Sequence, residues 1–112
     1  MSMKTATDTY IYNSLTAQGM KPTTAEFLVE FLNHFKVSNP VNSSSKKLAA
    51  LYGRSERTIR RYMAEITKEF NYIHKRPIWN NDNPDKPFII HTIYTMTYHS
   101  TDLLEKANGS PS

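Results

Sequence analysis

The clearest apolar pattern predicts a helix from about 24 to 37, because bulky apolar side chains there recur three and four positions apart. The residues of this stripe are Phe27, Leu28, Phe31, Leu32 and Phe35. Thr23 to Glu26 has the S/T-x-x-E form of a capping box, which predicts the start of the helix. Asn39-Pro40 predicts its end.

Two shorter helices are predicted next, separated by a glycine turn. Ser43 to Ser45 can cap the first, which ends at Gly53, where a left-handed conformation would turn the chain sharply. Ser55 is predicted to cap the second helix, with Glu56 in its first turn. The polar stretch VNSSS before the first of these helices is interpreted as a connector.

The second of these helices has one apolar face and one basic face. Apolar residues recur at spacings of four, three and four and define the buried face: Ile59, Met63, Ile66 and Phe70. The basic side chains between them are therefore predicted to lie on the opposite, exposed surface.

From Tyr72 the period changes to that of strands. Strands are predicted at 72–79 and 88–98, joined by eight turn-forming residues at 80–87, with Trp79 closing the hairpin against the core. In the second strand the alternation places Phe88, Ile90, Thr92, Tyr94, Met96 and Tyr98 on one side. Residues 1–22 form an N-terminal extension, either a short helix ending near Gly19 or a short strand. Residues 99–112 form a tail with one or two helical turns, frayed from Asn108.

The charge of the chain is concentrated in its middle third. The 112 residues, enough for one domain, carry 14 Lys+Arg and 10 Asp+Glu, a formal charge of +4. Residues 44–78 alone hold nine basic and three acidic side chains, a net +6. Arg54, Arg57, Arg60 and Arg61 fall within eight residues, a density used for phosphate and base recognition. A solvated helix face without a ligand is the alternative interpretation.

Other classes of protein are not indicated. The chain has no cysteine and no long apolar run, so neither a thiolate site nor a membrane span is expected, and a cytoplasmic protein is predicted. Its histidines lack metal-binding spacing, and no phosphate-binding glycine motif is present. We therefore expect no enzyme activity, no cofactor, no metal and no evident small-molecule effector.

The order of helix, glycine turn, basic helix and hairpin over residues 44–98 resembles the winged helix-turn-helix superfamily of DNA-binding proteins. Ala49 matches its small helix-crossing residue, Gly53 the turn glycine, Ser55 the cap and Ile59 the buried anchor, whereas Arg54 and Tyr62 depart from the pattern. The resemblance implies a mainly helical α+β fold with three or four helices followed by a two-stranded β-hairpin wing. The domain would span 23–98, with the helix-turn-helix at about 44–69 and the wing at about 72–98.

The resemblance also implies that the basic helix enters the major groove of double-stranded DNA. Arg57, Thr58 and Arg61 are then expected to contact base edges. Contacts to phosphates are expected from Ser45, Lys46, Lys47, Arg54, Arg60, Lys68, Lys75 and Arg76. An intramolecular ion pair with Glu56 is the alternative role for Arg60. The wing loop, with Asp82 and Asp85 against Lys86, is a poor match for a phosphate-gripping wing.

The function predicted from these features is that of a small transcriptional regulator of bacterial, plasmid or phage type. A homodimer is expected because one module covers only a short half-site, and its contact candidates are Tyr10, Leu15, Phe27 and Phe31. Two alternatives stay open. One is a DNA-binding module of plasmid or phage replication, partition or conjugation, and the other is a winged-helix protein–protein module whose arginines bind an acidic partner.

Overall fold

A computed structural model describes residues 6–35, 40–82 and 85–107, and within these ranges the chain is an α+β fold of helices and one three-stranded antiparallel sheet. The helices are α1 (Ala6–Ala17), α2 (Pro22–His34), α3 (Ser45–Tyr52), α4 (Glu56–Ala64) and α5 (Tyr98–Ala107). The strands are β1 (Val41–Ser43), β2 (Ile73–Asn80) and β3 (Phe88–Met96).

The first two helices pack together and supply much of the core. Ile11 and Leu15 of α1 are buried, and the apolar stripe of α2 is buried from Phe27 to Leu32. Gly19, with φ of +101°, makes the turn between the helices, as the sequence indicated. The predicted helix at 24–37 is confirmed as far as His34, Phe35 is its C-cap, and residues 36 and 37 lie outside the described ranges.

The predicted capping box of α2 is wrong. The helix begins at Pro22, one residue before Thr23, because a proline ring already has the φ that a first helical residue needs. Lys21 is the N-cap residue and provides no side-chain cap. The carboxylate of Glu65, far along the chain, takes this place and accepts hydrogen bonds from the Lys21 N–H (3.1 Å) and from Thr24 Oγ1 (2.7 Å).

Helices α3 and α4 have the predicted caps, and Gly53 makes the turn between them. Ser44 Oγ accepts from the Lys47 N–H, and Ser55 Oγ accepts from the Thr58 N–H, both at 3.1 Å. Gly53 closes α3 with φ of +64°, a left-handed conformation that a residue with a side chain rarely adopts. These contacts fix where α4 starts and therefore which of its side chains face outward.

Helix α4 buries the predicted face and then changes its winding. Ile59, Met63 and Ile66 are buried, while Phe70 is only partly buried. Residues Glu65–Glu69 continue α4 as a π-helical turn, which the sequence pattern did not indicate. Asn71, with φ of +56°, then ends the helical segment and leads into β2.

The sheet has one strand more than the predicted hairpin. Its order is β1-β3-β2, and β1 pairs with β3 in the register Val41↔Tyr94 to Ser43↔Thr92. The stretch interpreted as a polar connector is therefore half strand, with Val41 and Ser43 buried and Asn42 exposed. The pairing involves a strand about fifty residues away, so no local pattern could indicate it.

A β-bulge changes the predicted sides of the hairpin. Ile78 pairs with His91 but Trp79 pairs with Ile89, which leaves Ile90 as the extra residue. Ile89 therefore lies on the same side as Thr92 and Tyr94, contrary to simple alternation. Trp79 is 47% exposed and does not pack against the core, so that prediction was also wrong.

The last helix is longer than predicted, and the strand before it is shorter. Strand β3 ends at Met96, and Thr97 caps α5 by accepting from the Ser100 N–H (3.4 Å). Tyr98, predicted at the end of the strand, is instead the first residue of α5 and is 86% exposed. Ser100 and Leu103 bury one face of the helix.

Aromatic rings join the helices to the sheet across the core. The Phe27 ring lies 5.0 Å from Tyr52 of α3 and 5.2 Å from Tyr62 of α4, and Phe31 lies 5.4 Å from Tyr94 of β3. Three of the dimer candidates, Leu15, Phe27 and Phe31, are buried in this interior and offer no surface to a second copy. Tyr10, at 43% exposure, is the member of that set on the surface.

Candidate nucleic-acid interface

The turn after α3 and the outer side of α4 carry a surface that we call the basic face, made of Arg54, Arg57, Arg60, Arg61 and Lys68. All five residues are exposed. Arg57, Arg60, Arg61 and Lys68 lie opposite the buried stripe because the two sets alternate at helical spacing, and Arg54 lies in the turn before the helix. The cap at Ser55 holds this helix in place from its first turn.

The arginines at the middle of the basic face are not neutralised within the molecule. Among residues 6–35, 40–82 and 85–107, Arg54, Arg57 and Arg61 make no ion pair. The Arg61 guanidinium lies 5.9 Å from the centre of the neighbouring Tyr62 ring. These three guanidinium groups are therefore available to an anionic partner.

Arg60 differs from its neighbours because it is paired. Its Nη1 lies 3.9 Å from Oε1 of Glu56, one helical turn earlier, and both side chains are more than half exposed. Exposed pairs of this kind contribute little to stability, so the arginine can turn to another anion. The intramolecular ion pair with Glu56, which was the alternative role for Arg60, is thus present in the structure.

Thr58 has a structural task that limits it as a base contact. Its side chain is half-buried, and its Oγ1 accepts a hydrogen bond from the Ser55 hydroxyl at 2.9 Å. Its backbone N–H donates to the same Ser55 oxygen. Thr58 therefore completes the cap of α4, and only the exposed part of its side chain could contact DNA.

The start of α3 and the flank of α4 face β3 across a cleft of about 360 Å³, which we call the hairpin cleft. Lys46 and Arg60 lie on its helical wall, and Ile89, Ile90 and Thr92 lie on its strand wall. The remaining lining residues are Ser44, Ser45 and Glu56. Lys47, beside Lys46 in α3, is exposed but does not line the cleft.

A second cleft, of about 210 Å³, lies on the other flank of α4, and we call it the α2 cleft. Lys21 lines it beside Arg61 and Lys68. Sequence reasoning missed Lys21, because the hydrogen bond from its N–H to Glu65 joins positions 44 residues apart. Glu65, counted only as a charge in the sequence, is buried and positions this lysine.

Lys75 and Arg76 lie apart from these clefts. Both are exposed on β2, where Lys75 pairs with Tyr94 and Arg76 with Ile93, so their side chains point to opposite sides of the sheet. Neither lines the hairpin cleft or the α2 cleft. The structure thus gathers Lys46, Arg60, Arg61 and Lys68 around α4 but leaves the two hairpin cations outside.

A third cavity, of about 180 Å³, lies between α1 and α5, away from the basic face. Tyr72 donates to Gln18 Oε1 at 2.9 Å there, and its ring lies 4.4 Å from that of His99. Burial raises the pKa of Tyr72. A hydrogen bond to Asp102, with a 3.2 Å contact between charges, raises the pKa of Lys106 on its rim.

The described residues contain no group of three or more His, Asp or Glu side chains placed to bind a metal ion. None of the described helices combines the length and the apolar character that crossing a membrane requires.

Comparisons of the chain with protein-family models, with curated proteins and with solved structures each found no match.

Proposed function

We propose that this protein binds double-stranded DNA by placing α4 in the major groove. The observation that carries the proposal is the pair Arg57 and Arg61. Both are exposed on one face of α4, opposite its buried stripe, and have no acidic partner in the described parts of the chain. A helix of this kind fits the major groove, and a guanidinium can donate two hydrogen bonds to one guanine.

We also propose that the fold is a winged helix-turn-helix, with α2, α3 and α4 as its three helices and β2–β3 as its wing. The sharp turn at Gly53, the caps at Ser44 and Ser55 and the order of the elements support this assignment. Strand β1 would be the third strand that anchors the hairpin to the helices.

In this arrangement Arg57 and Arg61 contact base edges, and Thr58 adds a contact through its methyl group while its hydroxyl accepts from the Ser55 hydroxyl. Lys46 and Lys47 at the start of α3, with Arg54 and Lys68, lie where flanking phosphates would pass. Phosphate contacts fix the position of a protein on DNA, whereas base contacts determine the sequence.

The proposed role is that of a small transcriptional regulator acting as a homodimer. A replication, partition or conjugation module would use the same interface, and the genes beside the coding sequence would distinguish these roles. A protein–protein module would instead direct the arginines to an acidic polypeptide. DNA binding and its sequence dependence separate that class from the others.

The test begins with selection of a preferred duplex from a random-sequence pool by the purified protein. Affinities for this duplex and for a scrambled one are then compared between wild type and single variants. Arg61→Ala should cost about 1–3 kcal/mol on the selected duplex and relax its sequence preference, whereas Lys47→Ala should weaken both duplexes alike. Lys106→Ala on α5, which removes a lysine that is paired with Asp102, is the matched control and should change neither affinity, with sedimentation checking that its oligomeric state equals that of wild type.

Equal losses from Arg61→Ala and Lys47→Ala on both duplexes would contradict the assignment of base contacts. Failure of the selection to enrich any sequence, with strong binding to an acidic polypeptide, would favour the protein–protein module.

A further inference from the structure

The far half of the β2–β3 hairpin exposes large apolar side chains. Trp79 is 47% exposed, Ile89 48%, Ile90 49% and Phe88 56%. The near half of the same hairpin buries Ile73 and Tyr94 against the helices. Contiguous exposed apolar side chains are costly in water and mark a surface that contacts a partner.

The bulge determines which of these side chains face the helices. Ile89 pairs with Trp79 and lies on the side of Thr92, and the extra residue Ile90 lines the hairpin cleft with it. Phe88 pairs with Asn80 on the other side of the hairpin and does not line the cleft. One side of the exposed apolar surface thus borders the basic face.

The two walls of the hairpin cleft differ in chemistry. Its strand wall is apolar at Ile89 and Ile90, and its helical wall carries the cations Lys46 and Arg60. Glu56 also lines the cleft, where it lies 3.9 Å from Arg60, so the two cations and one carboxylate give the lining a net positive charge. A ligand that matches both walls needs an anionic part and an apolar part side by side.

We propose that the hairpin cleft holds one strand of the DNA backbone, with phosphate at Lys46 and Arg60 and deoxyribose packed on Ile89 and Ile90. This inference rests on the proposed DNA binding. The sugar–phosphate chain alternates an anion with a largely apolar sugar, which is the combination that the two walls require. The hairpin would then contact DNA through strand side chains, while its loop, which carries Asp82, stays away from the phosphates.

Features of the hairpin disfavour a second copy of the chain as the occupant. Strand β2 is an edge of the sheet and carries the exposed residues Lys75, Arg76 and Pro77. Like charges and a proline on an edge strand oppose pairing with an identical strand. The cationic wall of the cleft favours an anion over another apolar hairpin.

The experiment compares wild type with the double variant Ile89→Thr with Ile90→Thr, with Phe88→Thr and with Lys46→Ala, on one duplex over a range of salt. Threonine is β-branched, which strands favour, and the replaced side chains are about half exposed, so the variants should fold. Thermal unfolding checks this, and the single variant Ile90→Thr repeats the test with a smaller change. Phe88→Thr is the matched control on the other side of the hairpin.

The double variant should bind roughly tenfold more weakly, because two apolar contacts are lost. Its affinity should fall with salt along the same slope as wild type, because no phosphate contact is lost. Lys46→Ala should instead lower that slope by about one. Phe88→Thr should bind like wild type.

Wild-type affinity of the double variant, or an equal loss from Phe88→Thr, would overturn the assignment of the cleft. The same holds if sedimentation without DNA shows that the double variant converts a dimer to a monomer, because the occupant would then be a second copy. Absence of DNA binding by the wild type would overturn the proposed function as well.

Discussion

At the scale of single residues, two tyrosine hydroxyls differ in their hydrogen bonding. The Tyr52 hydroxyl is buried and has no hydrogen-bond partner among the described residues, whereas the Tyr72 hydroxyl donates to Gln18. A buried polar group without a partner costs about 1–3 kcal/mol, and a satisfied one contributes about 1 kcal/mol. Tyr52→Phe should therefore leave the free energy of unfolding unchanged or raise it by up to about 1 kcal/mol.

Tyr72→Phe is the matched comparison and should lower the free energy of unfolding by about 1 kcal/mol. Urea unfolding of both variants at neutral pH measures the difference. A larger loss from Tyr52→Phe than from Tyr72→Phe would contradict the hydrogen-bonding pattern in the structure.

The raised pKa of Tyr52 predicts how the free energy of unfolding changes at alkaline pH. Burial, with the nearby negative charge of Glu30, raises the pKa of Tyr52 above its ordinary value of 10.0. This phenol ionises at a lower pH in the unfolded chain than in the folded protein. Its effect on the free energy of unfolding is therefore constant below about pH 10, and the free energy of unfolding falls as the pH rises further. Tyr52→Phe should make the fall in stability above pH 10 shallower than in wild type, and an unchanged fall would show that other groups cause it.

At the scale of elements, Glu65 joins the end of α4 to the start of α2. Its buried carboxylate accepts from Thr24 Oγ1 and from the Lys21 N–H, at the helix end where negative charge is favourable. Thr24→Val keeps the shape of the side chain but removes one bond, and it should cost about 1.5–3 kcal/mol of unfolding free energy. Glu69 is an exposed glutamate in the same π-helical turn as Glu65. Glu69→Gln is the control and should change the free energy of unfolding by less than about 0.5 kcal/mol.

A double-mutant cycle of Thr24→Val with Glu65→Gln would show whether the two side chains act together. Their effects should be less than additive, because each variant removes part of the same interaction. Strict additivity would contradict the proposed connection between α2 and α4.

Local patterns predicted most of these elements, and long-range contacts explain the exceptions. The spacing of Ile59, Met63 and Ile66 was sufficient to orient α4, and Gly53 and Ser55 marked the turn before it. Strand β1 depends on pairing with β3, and the cap of α2 comes from Glu65, so neither leaves a mark in its own part of the sequence. The same reason explains why the basic side chains of α4 were predicted but Lys21 was not.

At the scale of the whole molecule, the surface left for a second copy differs from the one first expected. Of the four dimer candidates, Tyr10 is exposed and lines the third cavity with Lys106 of α5, and Tyr98 at the start of α5 is also highly exposed. If the protein is a dimer through α1 and α5, Tyr10→Ser with Tyr98→Ser should convert it to a monomer in a sedimentation experiment. A dimer that persists in this variant would place the contact elsewhere.

The strands of the hairpin were predictable from local sequence patterns, but the directions of its side chains were not. Alternation and turn residues located its strands, but the bulge at Ile90 and the exposure of Trp79 depend on how far the hairpin extends past the helices. Its exposed apolar side and the basic face meet at one cleft, so the whole surface is interpreted as one interface.

A salt titration shows whether this surface binds duplex DNA as we propose. We expect measurable binding at ~50 mM salt and a steep linear fall of log affinity with log salt, because the lysines and arginines around α4 release counterions from several phosphates. Undetectable binding at ~50 mM salt, or an affinity that does not fall as salt rises, would contradict the proposal.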